Sequence, residues 1–114
     1  MKIDDWSFGK ITIDGNDYSR DLIVFPDEVR ENWWRREGHS LNGDDLGAVL
    51  ERKPAVFVMG CGYTPALTVP IETRRILAKA GIEVRELPTP EACKELNRLF
   101  AEGEDAAGGL HLTC

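Results

Sequence analysis

The sequence predicts an α/β fold in one domain spanning residues 1–114, with an N-terminal antiparallel hairpin followed by a C-terminal parallel β-α-β-α-β unit. Three observations carry this reading. A chain of 114 residues with 42% apolar content can bury one self-sufficient core and has no room for a second. Asp14-Gly15-Asn16-Asp17 separates two β-prone runs with residues that tolerate positive φ. Ala55-Val56-Phe57-Val58-Met59 is a continuous apolar run of the kind that forms a strand covered on both faces, and helical and strand patterns alternate after it.

The elements follow in chain order. Trp6 to Ile13 and Tyr18 to Phe25 form the hairpin arms, Pro26-Asp27 interrupts the pairing, and Val29 to Arg36 has the aromatic content of a third strand. Between Asn42 and Lys53, Leu46, Val49 and Leu50 recur at helical spacing, Asn42, Asp44 and Asp45 stand at the start, and Pro54 ends the helix. Ala55–Met59 is expected to be the central strand. A helix from Pro70 to Ala80 should turn Ile71, Ile76, Leu77 and Ala80 inward and stop at Gly81. Ile82 to Glu86 alternates as a half-buried strand. Thr89 is expected to cap the longest helix, with Pro90 at its first position, an inner stripe of Ala92, Leu96, Leu99 and Phe100, and Gly103 at its end. Ala106 to Cys114 carries residues small enough for a helix to approach closely, so it reads as an interior strand. The alternation implies two right-handed crossovers and parallel pairing.

Composition excludes some partners. With 20 acidic against 14 basic residues the net charge is -6, which repels phosphate backbones and anionic lipid, so neither nucleic acid nor membrane is expected as a partner. No apolar run of about 18 residues could span a bilayer, and Met1-Lys2-Ile3-Asp4-Asp5 does not open a leader peptide, so a cytoplasmic, unprocessed chain is expected. Three cysteines without a Cys-x-x-Cys spacing fit a reducing compartment.

Several residues could carry chemistry. Gly60-Cys61-Gly62 after the buried strand can bring backbone N–H groups to a phosphate, and Glu86 ends the next strand where a ribose-binding acid would stand. Against a dinucleotide site, the third glycine of that fingerprint falls on Pro65, and the helix begins too late. Cys61 is either an exposed, activated thiol or a small apolar filler, and no partner base is evident. Cys93 reads as packing, and Cys114 has a carboxylate beside it that disfavours its thiolate. His39, His111, Cys61 and Cys114 are four potential soft ligands, but no pair has the close spacing of a zinc site, so no metal is expected. No serine-hydrolase, zinc-protease or phosphate-loop motif occurs. In Asn32-Trp33-Trp34-Arg35-Arg36 a strand would send Trp33 and Arg35 to one face and Trp34 and Arg36 to the other, so the indoles cannot form a joint platform. At least one is expected to be buried, with an arginine along an indole or on a carboxylate; an exposed Trp34 and Arg35 pair would be a partner-binding hot spot.

Taken in order, Asp21-Leu22-Ile23-Val24-Phe25-Pro26, Trp34-Arg35 with Gly38-His39-Ser40, Val58-Met59-Gly60-Cys61-Gly62, Leu67-Thr68-Val69-Pro70, Gly81-Ile82-Glu83-Val84, Thr89 with Ala92 and Asn97, and His111-Leu112-Thr113-Cys114 resemble a small α/β domain family. That family includes the human adipogenesis-associated domain protein, a mitochondrial complex I assembly factor and many uncharacterised bacterial and archaeal proteins. The resemblance implies a compact three-layer domain with a mixed central sheet and no established catalytic activity or cofactor. Its marked positions fall here on Trp34, Arg35, His39, Gly60, Gly62, Thr89, Asn97, His111 and Cys114, and the residue at position 61 is not fixed.

Two functions follow as expectations. The first is a non-enzymatic cytoplasmic protein, monomer or homodimer, acting on an unknown protein partner through Trp34 and Arg35 as an assembly or regulatory factor. The second is a small-molecule or anion-binding protein, or an enzyme, with a pocket of Gly60, Cys61, Gly62 and Thr89 that Arg35 or His39 reaches.

Overall fold

A computed structural model describes residues 1–64 and 66–114. Its first three strands, β1 (Ile3–Ser7), β2 (Lys10–Ile13) and β3 (Asn16–Tyr18), form an antiparallel sheet in that order. The turn expected at Asp14-Gly15 is present, with both residues at positive φ, the backbone a two-residue hairpin requires. Both predicted arms are subdivided, however. The first folds back on itself at Phe8-Gly9, and the second ends at Tyr18, after which β4 (Leu22–Val24) leaves for a different sheet. The strand expected over Val29–Arg36 shrinks to β5 (Val29–Arg30), because Asn32 adopts φ +57° and turns the chain out of the ladder.

A short 3-10 turn (Gly43–Leu46) leads into α1 (Gly47–Arg52), which ends where Lys53 turns left-handed ahead of Pro54. Next come β6 (Val56–Gly60), α2 (Ile71–Lys79), β7 (Glu83–Leu87), α3 (Thr89–Ala101) and β8 (Ala106–Leu110). The five-stranded sheet has the order β5-β4-β8-β6-β7; β6, β7 and β8 are parallel, and β4 runs antiparallel to β8. The sheet is therefore mixed. Its centre is β8 rather than β6, which lies one place over between β8 and β7.

The reason is steric. A Cβ on Gly108 would overlap Leu96 of α3, and one on Gly109 would stand 2.7 Å from Trp33 Cζ3 on the opposite face. Only a strand nearly free of side chains can be squeezed from both sides in this way.

Side-chain alternation splits the apolar strands between two cores, which makes three layers. Leu22, Val24 and Val58 face α3 and the small sheet, joining Ile3, Ile11, Ala92 and Leu96. Ile23, Phe57 and Met59 face α1 and α2, joining Leu46, Val49, Leu67 and Leu77. The inner stripe of α2 differs from expectation: Leu77 and Thr73 are buried, whereas Ile71 is 63% and Ile76 41% exposed. The Thr73 hydroxyl donates to Leu41 O at 2.7 Å, so a polar residue serves the helix's inner face by binding the chain it packs on. Asn97 of α3 acts likewise, accepting from Ile3 N at 2.8 Å and donating to Ile3 O at 2.9 Å, which pins β1 to the helix.

Candidate functional site

Antiparallel register builds the site. Leu22 of β4 pairs with Leu110 of β8, so Asp21, just before β4, and His111, just after β8, fall side by side. Asp21 Oδ2 accepts from His111 Nδ1 at 2.7 Å and from Arg35 Nη2 at 2.8 Å, while Oδ1 accepts from Leu112 N at 2.8 Å. Its backbone O accepts from Trp33 N, also at 2.8 Å. Burial pushes the Asp21 carboxyl up, but the bonds from His111, Leu112 N–H and Arg35 outweigh it and hold the group below the usual carboxylate range. The Arg35 side chain is only 5% exposed, its guanidinium carbon lies 5.0 Å from the centroid of the Trp33 ring, and its Nε and Nη1 are buried without partners among the described residues. Arg35 thus makes both contacts expected of an arginine here, on an indole and on a carboxylate.

Although the predicted strand is absent around them, the two indoles do diverge. Trp33 turns inward over Gly109 and donates from Nε1 to Asp45 O at 2.9 Å; Trp34 is 78% exposed. Asp45 also accepts from Arg36 N at 3.0 Å and Asn42 N at 2.9 Å, so one carboxylate both starts the 3-10 turn and latches the tryptophan segment to it. Beside Trp34 runs an open groove of about 590 Å³ lined by Arg20, Asp21, Asn32, Trp33 and Trp34.

The glycine loop is packed rather than open. Gly62 sits at φ +111°, and a Cβ there would lie 2.7 Å from Thr113 O and 3.2 Å from His111 Cδ2. Thr89 is the first residue of α3 and not its cap, a correction with a clear cause: its hydroxyl accepts from Gly62 N at 3.0 Å and donates to His111 O at 2.6 Å. Its own N–H goes to Gly62 O, and Pro90 has none, so the first two residues of α3 offer no free N–H. The loop and helix start thus hold the 110–114 segment in place, with His111 N donating to Gly60 O at 3.0 Å and Thr64 N to Cys114 O at 2.5 Å. Cys61 is buried, its thiol pushed up by that burial and turned toward Met59 O, which argues for the filler role. Glu86 pairs with Arg74, and Pro65 lies outside the described residues.

His39 does reach Arg35's neighbourhood, by way of the same C-terminal segment. Its Nε2 is 3.2 Å from Cys114 Sγ, and its ring meets that of His111 edge-on at 6.4 Å between centroids. One ligand atom from each of His39, His111 and Cys114 lies within 4.8 Å of the others. Chain spacing hid this cluster, since its members are joined only through the sheet. Sequence reading also passed over Asp21 and Asp45 as site residues; the one available signal was a lone carboxylate immediately before a wholly buried strand.

Several solved structures share this fold, and a family model covers most of the chain. The model, described as a protein of unknown function (DUF498/DUF598), matches residues 3–111. A conserved hypothetical protein from Pyrococcus horikoshii OT3 is 27% identical over 100% of both chains, with a TM-score of 0.84. An outer membrane protein from Bartonella henselae is 23% identical over 98% of this chain and 94% of its own, with a TM-score of 0.85. A Mth938-like domain protein from Bordetella pertussis is 19% identical over 97% of this chain and 85% of its own, with a TM-score of 0.67. At these identities the last two speak for the fold alone. Among the described residues no helix is long and apolar enough to cross a membrane.

Proposed function

We propose, on the premise that this chain belongs to the DUF498/DUF598 family of proteins of unknown function, that it works in the cytoplasm through protein contacts and not by catalysis. The resemblance to a complex I assembly factor and the adipogenesis-associated domain protein makes an assembly or regulatory role the natural form of such contacts. One observation carries the reading: Trp34 stands 78% exposed beside the 590 Å³ groove while its neighbour Trp33 is tucked against the sheet. An exposed indole loses little rotamer freedom on binding and hides a large apolar area, which is why such residues dominate interface energetics. Within the groove, Asp21 is already paired to Arg35, so Arg20 leaves the wall net positive. The partner that fits is a protein segment seating an apolar side chain on Trp34 with an acidic residue facing Arg20.

The test is a photo-crosslinking residue at position 34 in the full chain, identification of what it captures, and affinity measurement between purified components. Trp34→Ala should weaken that affinity about 30-fold or more, in line with the roughly 2 kcal/mol of a hot-spot residue. An identified partner that binds Trp34→Ala as tightly as wild type overturns the reading. Self-association abolished by the same change makes the partner a second copy of the chain.

Small-molecule or anion binding is a second reading, favoured by a hollow of about 210 Å³ lined by Cys61, Leu67, Thr68, Glu86, Leu87 and Pro88 at the carboxyl ends of β6 and β7. Thermal stabilisation by a small molecule that Glu86→Gln abolishes, with Trp34→Ala silent, would decide for it.

A further inference from the structure

We propose that His39, His111 and Cys114 bind a zinc ion, with Asp21 and Arg35 supporting the site. Two imidazoles and a thiol form a donor set suited to a borderline-soft cation, and three protein ligands leave a fourth position open for water or a partner's side chain. The span is right. Zinc bonds of about 2.0 Å to nitrogen and 2.3 Å to sulfur place neighbouring ligand atoms roughly 3.3–3.6 Å apart in a tetrahedron. His39 Nε2 and Cys114 Sγ are 3.2 Å apart, and all three ligand atoms lie within 4.8 Å.

A second, independent observation distinguishes this cluster from a mere set of hydrogen bonds. His111 is 6% exposed, and its Nε2 is buried with no partner among the described residues. Asp21 can only accept, so its 2.7 Å contact places a proton on His111 Nδ1, and in the neutral imidazole the lone pair then lies on Nε2. An orphaned buried nitrogen is costly unless something fills the place it faces. A histidine oriented by a carboxylate on one nitrogen, with the other free, is the arrangement that presents imidazole to a metal. Arg35 balances the Asp21 charge at 2.8 Å, and the bond from Thr64 N to Cys114 O fixes the residue that carries the thiol. Asp21 also lines the groove beside Trp34, but none of the three proposed ligands does, so either proposal stands without the other.

Zinc chloride titrated into the reduced full chain by competition with a chelator should show one ion per chain. Cys114→Ser and His39→Ala should each weaken it at least about tenfold, and Cys61→Ser should leave it unchanged. Cobalt(II) in place of zinc should give tetrahedral absorption with a thiolate charge-transfer band that Cys114→Ser removes. His39 is exposed and Cys114 half-buried, and circular dichroism checks that both variants remain folded. Absence of zinc uptake by the reduced wild-type chain, or uptake that both variants leave unchanged, overturns the proposal.

Discussion

The β6–β8 pair and the segment from Trp33 to Ser40 belong to one small domain, yet different forces hold them. The strands are joined residue for residue, Val56 to Gly60 against Ala106 to Leu110, and both faces are covered by apolar side chains. The tryptophan segment has one isolated bridge, from Glu37 to Ser40, and a second from Ser40 to Thr68. What fixes it is two aspartates, Asp21 with its carboxylate beneath Arg35, and Asp45 with its carboxylate on Arg36 N and its backbone carbonyl on the Trp33 indole. Ladder and packing define a core region, whereas a few polar bonds between residues 9 to 14 positions apart define the candidate site. Such a region is specific and also vulnerable, because each bond has no substitute.

Breaking the second kind of support should have the largest effect. Asp21→Asn leaves the buried Arg35 guanidinium without its counter-charge, and about 3–5 kcal/mol of stability should be lost in urea unfolding. The same variant sharpens the point through pH. The folded Asp21 pKa is depressed, so its stabilisation is complete above the unfolded value of roughly 3.9 and disappears as pH falls through the lower folded value. Wild type should therefore show an acid loss of stability in that window that Asp21→Asn lacks.

Trp33→Ala should cost about 3 kcal/mol, by emptying the space over Gly109 and freeing the Asp45 carbonyl, while Trp34→Ala one residue away stays within about 0.5 kcal/mol. Equal effects of the two changes on the melting temperature would contradict the inward and outward division. Thr89→Val keeps the shape but deletes the hydroxyl that joins Gly62 N to His111 O, and thermal unfolding should register about 1–3 kcal/mol. The smallest effect concerns the cysteines. Burial pushes the Cys93 thiol up to about 12, so brief iodoacetamide treatment of the native chain at neutral pH should label Cys114 and spare Cys93, as mass spectrometry of the peptides would show.

How much of this was legible beforehand depends on the range of the interaction involved. Gly15, Gly81 and Gly103 announced their turns because positive φ is a demand of a single residue. The run at 55–59 announced a doubly covered strand, since burial on both faces erases alternation, and the small residues of 106–110 announced close packing. The strand expected over Val29–Arg36 stops at Arg30, because aromatic and branched residues favour extension without supplying a partner to pair with. Ile71 and Ile76 face solvent for a similar reason: helical spacing identifies a stripe, while which stripe meets the sheet is set by the elements it packs on.

By itself the sequence determined the class of the fold and its division into a hairpin region and a β-α-β-α-β unit, which are local consequences of backbone geometry and side-chain alternation. Only the tertiary structure decided that β8 takes the centre of the sheet, that Asp21 meets Arg35 and His111, and that His39 and His111 close on Cys114. Those meetings join residues up to 90 positions apart, as in the Asp21–His111 bond. They exist because antiparallel β4 and β8 bring the start of one strand to the end of the other, a register that no spacing along the chain encodes.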